Sequence, residues 1–170
     1  MQYQIKSYLK FLRNAKNEHG VHSPFVFDLV TKCFHATNIT SFDHKRNNRI
    51  QETIAYLHLK EYFYFKVGQE VPRTIKGLIV PSEALKTFSI DNIYPYCINE
   101  SCLFIEDIHK TRKNEFLWKQ LYQNDKITCS IETYNLGLLF FRKEQNKEHF
   151  ILHPKKTILS HLLERIRFKL

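Results

Sequence analysis

Apolar residues recur at helical spacing through the first part of the chain, and then the rhythm changes. Ile5, Tyr8, Leu9 and Leu12 predict an amphipathic helix over residues 2–15. In "GVHSPFVFDLV" Ser23 is a good N-cap. Pro24 then takes the first helical position, where a missing N–H costs nothing. Val26, Leu29, Val30 and Cys33 give this second helix one apolar stripe. "HKRNNRIQETIAYLHLK" predicts a third, with Ile50, Ile54 and Leu57 inward.

From Glu61 onward the pattern is that of strands. "EYFYFKV" and "TIKGLIV" are short β-forming runs with no helical period, the second bounded by Pro72 and Pro81. "SEALKTFSIDNIYPYC" begins as a helix that Pro95 ends or distorts. "SCLFIED" is a further strand, and "TRKNEFLWKQLYQN" a helix with Phe116, Leu117 and Leu121 facing in. "ITCSIETY" and "GLLFFRK" are set to pair antiparallel across a short turn. "TILSHLLERIRFKL" closes the chain as an amphipathic helix, with Ile158, Leu159, Leu162, Leu163 and Ile166 on one face. The order predicts an α/β protein, an open sheet of about five strands with helices on both faces. A single domain is expected. Residues 1–58 form a helical cap, 61–152 a reduced α/β core and 153–170 a helical tail, and packing on the body is the expected use of that tail.

Two stretches carry a resemblance. "YLKFLRNAKNEHGVHSPFVFDLV" and "LFIEDIH…LGLLFFRKEQNKEHF" resemble a family of class I S-adenosylmethionine-dependent methyltransferases of Bacteroidetes-type bacteria, similar to small-molecule O-methyltransferases. The resemblance implies a Rossmann-like sheet in the order three, two, one, four, five, seven, six, with strand seven alone antiparallel. It implies a cofactor loop of the form E-x-G-x-x-x-G after strand one and an acidic residue on strand two for the ribose. Here "EYFYFKVGQEV" takes the place of strand one, with Lys66 at the acidic position and Gly68 as the remaining glycine. "TIKGLIVPSE" takes that of strand four, and only "QEVPRT" lies between them, so strands two and three and their helices are missing. Those strands form one edge of the family sheet. Without them strands one, four, five, seven and six remain mutually adjacent, and strand one becomes an edge that needs a cover, from the N-terminal helices or a second copy of the chain. A link so short argues against the usual parallel crossover. An antiparallel pair of "FYFKV" and "TIKGLIV" is expected if it forms a tight turn.

The chemistry follows from the same gap. Glycines let a backbone approach a phosphate or ribose, and a following helix offers its positive end. Both are reduced here. Gly68 and Glu83 are remnants of a cofactor site, no cofactor is expected to bind, and S-adenosylmethionine is the cofactor if the chain is active. Glu106, Asp107 and His109 lie where "CLFIEDIH" leaves the sheet, the usual side for ligands, and are the candidate catalytic residues. Glu83 would have to join Glu106 and Asp107 to hold a hard cation, which takes about six oxygens. No metal is expected, and Asp107 has the plainer role of capping the next helix. His19 and His22, with Glu18 beside them, form an H-x-x-H that is either a set of substrate contacts or a structural turn.

Charge and cysteine content change this picture little. The 170 residues carry a formal charge of +9, which attracts anionic partners, and the Lys45–Arg49 cluster is the place where nucleic acid would bind. Nucleic acid is the weakest of three readings. Cys33, Cys97, Cys102 and Cys129 form no C-x-x-C pair, so free thiols in a cytoplasmic protein are expected. No apolar run approaches the ~18–20 residues that span a bilayer, and the N-terminus lacks the apolar core of a secretory signal. The leading expectation is a shortened methyltransferase-like pseudoenzyme in a binding or scaffolding role, with a homodimer one form of partner. The second is an active O-methyltransferase acting on a small molecule, with an atypical site around Gly68, Glu83 and Asp107.

Overall fold

A computed structural model describes residues 2–16, 18–35 and 45–153, with the backbone alone for His19 and for residues 45–48. Among the described residues six strands form one mixed sheet: β1 (Tyr62–Tyr64), β2 (Ile75–Val80), β3 (Cys97–Glu106), β4 (Cys129–Thr133), β5 (Leu136–Phe140) and β6 (Glu148–Ile151). Their order is β1-β2-β3-β5-β4-β6. β5 runs antiparallel to both neighbours, and the other pairs are parallel. The first five strands therefore have the adjacency expected for the shortened sheet, and β6 is an addition that the sequence reading missed. The predicted tail, with Ile158 to Ile166, lies outside the described residues.

Period-two alternation divides the sheet into two buried faces. Ile79, Phe104, Leu138, Ile131 and Phe150 share one of them with Val26, Leu29, Phe34, Ile50 and Ile54 of the N-terminal helices. Those helices are α2 (Pro24–Asp28), continuing as a π-helical turn over Leu29–Phe34, and α3 (Lys45–Tyr56). Ser23 caps α2 as the sequence suggests, its Oγ accepting from the Val26 N–H at 3.3 Å, and Val26, Leu29, Val30 and Cys33 are all buried. On the opposite face Leu78, Val80, Leu103, Ile105 and Leu139 pack against α4 (Ile90–Ile93) and α5 (Arg112–Gln123), with Trp118 and Leu121 at the centre. Pro95 does break the predicted helix, which survives as α4 and a 3-10 turn over Tyr94–Tyr96.

The pairing of β1 with β2 corrects the expectation of an antiparallel turn. It is parallel, with Tyr62, Phe63 and Tyr64 opposite Gly77, Leu78 and Ile79. The reason is the length of β1. With Tyr64 opposite Ile79, the chain must retrace only the distance back to Ile75, about 13 Å at ~3.3 Å per residue. Residues 65–74 can span roughly 33 Å. Ten residues thus suffice without a crossover helix. The link packs instead of hanging free. The Phe65 N–H donates to the Ile79 carbonyl at 2.8 Å, the Phe65 ring meets Phe88 edge-on at 5.1 Å, and Val71 lies against the same core. Among the described residues no strand lies beyond β1, whose Tyr62 and Tyr64 are exposed.

Two helices turn a different face inward from the one their apolar residues predict. In α1 (Gln2–Asn14) the buried residues are Ser7 and Phe11, while Ile5, Tyr8 and Leu9 are exposed. In α5 Trp118 and Asn114 are buried with Leu121, Leu117 is half-buried and Phe116 is 60% exposed. The four cysteines are free, all but Cys97 buried. Among the described residues no helix is long and apolar enough to cross a membrane.

Trp118 lies flat against the sheet because Gly137 on β5 has no side chain. An added Cβ would stand 2.5 Å from the indole ring. Gly137→Ala is expected to lift Trp118 and destabilise the protein by about 1–3 kcal/mol, the usual cost of overpacking, read as a lower denaturant midpoint.

Candidate functional site

At the carboxyl ends of β1 and β2 the sequence suggests only the remnant of a cofactor site, Gly68 and Glu83. Gly68 sits in a turn closed by the Gln69 N–H and the Lys66 carbonyl at 3.3 Å, and its φ of +79° requires glycine. A Cβ at Gly68 would meet nothing within 4 Å, so the glycine serves the turn and not a close approach. No helix follows it before β2. Beneath the link is a cavity of about 230 Å³, walled by Phe63, Phe65, Val71, Leu78 and Ile93 with Gln69 and Glu70 at the side. That is smaller than the ~300 Å³ at which ligand pockets usually begin. Glu83 is exposed and accepts from the Ser82 hydroxyl at 3.1 Å. Gly68, Glu83 and Asp107 line neither this cavity nor the larger one described below. These residues do not fit the cradle that an adenosyl cofactor needs.

The candidate catalytic residues separate. Glu106 and Asp107 are half-buried, and Asp107 adopts a left-handed φ of +52° with the Lys110 ammonium 3.8 Å from its carboxylate. Asp107 is not the cap of the next helix. Thr111 caps α5, its Oγ accepting from the Asn114 N–H at 3.1 Å. His109 turns away from both acids into the protein. His22 is exposed and lines neither cavity, and the side chain of His19 lies outside the described residues. Among the described residues no group of three His, Cys, Asp or Glu side chains is placed to hold a metal. Arg49 is buried, donating to the Phe34 carbonyl at 2.9 Å and lying 4.9 Å over the Phe34 ring, so it belongs to the core and not to a nucleic-acid face.

A polar cluster at the other side of the sheet was not foreseen. Glu132, on β4 and 6% exposed, projects onto the face covered by α5. One carboxylate oxygen lies 2.9 Å from His109 Nε2. The other accepts from the Trp118 indole N–H at 2.7 Å and lies 3.5 Å from His149 Nε2. Burial alone would push this carboxyl up. The hydrogen bonds from His109, His149 and Trp118, with the charge on His109, outweigh it and hold the group down at about 2. An ionised carboxylate only accepts, so His109 Nε2 carries a proton toward it.

Each histidine is fixed from its second nitrogen and its faces. His109 Nδ1 is 3.2 Å from Ser7 Oγ, and its ring stacks on Tyr134 at 5.0 Å. His149, on β6, is 2.8 Å from Ser130 Oγ and stacks on Tyr122 at 3.9 Å. An outer layer ties α1 to α5 through Glu115, which accepts from the Tyr3 hydroxyl at 2.7 Å and the Lys10 ammonium at 2.8 Å. Burial and the Glu115 carboxylate push the Tyr3 phenol up to about 12. Above the cluster opens a cleft of about 370 Å³ between α1 and α5.

The line Ser7–His109–Glu132 has the hydrogen-bond sequence of an acyl-transfer relay, but its surroundings do not suit that chemistry. Ser7 is 4% exposed and lies inside α1, where neighbouring N–H groups are consumed by the helix and none points at a developing oxyanion. The arrangement holds a charge and shapes a cleft. Compared with known proteins, the chain matches no family model, no curated protein and no solved structure.

The signal for this cluster lay in the alternation of "ITCSIETY". Ser130 and Glu132 read as the outward face of a half-buried strand, whereas α5 covers that face and β6 lies beside it.

The depressed carboxyl of Glu132 makes a pH prediction. Its folded value of about 2 is below the ordinary 4.5, so its contribution is present above pH 4.5 and is lost as pH falls toward 2. Glu132→Gln is expected to cost about 3 kcal/mol at neutral pH, with the difference from the unsubstituted protein shrinking below pH 4.5. Urea unfolding of both proteins from pH 7 down to pH 3 checks it.

Proposed function

We propose that the chain is a shortened relative of class I S-adenosylmethionine-dependent methyltransferases that has given up methyl transfer and works by binding or scaffolding. The strand plan supports the kinship: five strands adjacent as in a family sheet without strands two and three, with β5 alone reversed between β3 and β4. The observation that carries the loss of function is the β1–β2 link. It runs from the edge strand to β2 in ten residues with no helix, and its Phe65 and Val71 pack on the core beside a cavity of about 230 Å³. A cofactor site in such a fold needs a backbone nest and a helix N-terminus at this place. The link supplies neither, and offers there the apolar side chains of Phe65 and Val71.

Glu106, Asp107 and His109 support the same reading. A methyl-transfer site needs its acid–base groups gathered around one reacting atom. His109 is instead committed to Glu132 and Ser7, and Asp107 faces Lys110.

Calorimetric titration of the full chain with S-adenosylmethionine and S-adenosylhomocysteine tests the proposal. The expected result is no saturable binding up to about 1 mM, weaker than about −4 kcal/mol. A micromolar dissociation constant for either compound rejects it and restores the active-enzyme reading.

A further inference from the structure

We propose that the cleft between α1 and α5 is a binding site for a small planar aromatic anion. The inference is independent of the methyltransferase kinship, because it uses only residues near the opposite edge of the sheet.

The cleft's volume of about 370 Å³ falls within the usual range for small-molecule sites. Its walls are two helical stripes. α1 presents Ser7, Lys10, Phe11 and Asn14, and α5 presents Arg112, Glu115, Phe116 and Lys119, each set at the spacing that places residues on one helix face. This explains why α5 turns Phe116 outward. The ring is 60% exposed at the rim of the cleft, where it offers a flat apolar surface beside two cations. The floor is aromatic as well, formed by Trp118 and by Tyr122 stacked on His149.

The sign of the ligand follows from counting charges. Glu115 is offset by Lys10 at 2.8 Å. Glu132 is offset by the donors His109, Trp118 and His149, and both its oxygens are occupied, so it offers little to an incoming cation. Arg112 and Lys119 remain. Both are exposed and line the cleft, and among the described residues neither is paired with a carboxylate; the Arg112 guanidinium lies 5.8 Å over the Tyr3 ring. A guanidinium and an ammonium one helical turn to either side of an exposed phenyl ring match a ligand with a flat apolar body and a carboxylate or similar anionic group.

The molecule supplies its own reporter, because Trp118 is the only tryptophan in the sequence and its indole N–H donates to Glu132 at the cleft floor. The full chain, labelled with nitrogen-15, is titrated with 2-naphthoate, with the neutral 2-naphthamide and with cationic 2-naphthylmethylammonium, following the indole N–H resonance and the heat of binding. The expected result is saturable binding of 2-naphthoate at about 1 mM or tighter, a shift of the indole signal, and affinity about tenfold above that of the amide and the cation, the equivalent of about 1.4 kcal/mol. The double substitution Arg112→Gln and Lys119→Gln, at exposed positions whose loss leaves the fold intact, is expected to bring acid and amide within about twofold of one another. The separate change Phe116→Ala is expected to weaken both naphthyl compounds alike. Absence of binding, equal affinity for acid and amide, preference for the cation, an unmoved indole signal at saturation, or indifference to the charge substitutions would each overturn the proposal.

Discussion

A single ionised carboxylate, that of Glu132, sets the terms for one half of this molecule. A charge taken out of water costs several kcal/mol unless its hydrogen-bonding capacity is met in full. Here the partners come from three places: His109 from the turn after β3, Trp118 from α5 and His149 from β6. Each depends on a further contact in turn. His109 needs Ser7 on α1, His149 needs Ser130 and Tyr122, and Trp118 needs the missing side chain of Gly137. The site of one buried charge thus fixes how α1, α5 and β6 sit on the sheet. It also explains why α1 buries a serine and exposes Ile5 and Leu9: the helix is oriented by polar contacts to His109 and Glu115 that outweigh the preference of its apolar stripe.

The other half of the sheet is governed by a shortage of chain. Parallel strands need a return path, which a helix normally supplies over a dozen residues or more. β1 escapes the rule by being only three residues long, so little distance has to be retraced. The return path sets Phe65 and Val71 against the core, and Gly68 supplies the positive φ that its turn needs.

Features set by local chemistry were legible in the sequence. Ser23 and Pro24 mark the start of α2, and Ile50 and Ile54 the buried face of α3; the β4–β5 hairpin was legible, but its turn falls at Tyr134 and Asn135 instead of over Asn135–Gly137. Adjacency of the first five strands was legible through the family plan. What failed was any inference that needed knowledge of the far partner. Phe116 is as apolar as Leu117, and only the position of the sheet decides that Trp118 and Asn114 turn inward instead. The direction of β1 depended on its length, which the seven-residue run "EYFYFKV" overstates. β6 is "EHFI", polar at its start, and earns strand geometry from pairing with β4. The polar cluster was invisible for the same reason, since Glu132, His109 and His149 are far apart in the chain, and His109 was grouped with Glu106 and Asp107 beside it in sequence.

Sheet order also separates the two candidate regions, which bears on how they can be related. Gly68 follows β1 at one edge, whereas the cleft lies over β4 and β6 at the other. From β2 to β4 there are β3 and β5, and at ~4.8 Å per strand the two strand axes stand about 14 Å apart. A methyl donor and its acceptor must meet at about 3–3.5 Å. Strand spacing alone therefore sets the two regions apart on the sheet. The polar cluster under α5 is a different structure with a different cause, held in place by the need to satisfy one buried charge.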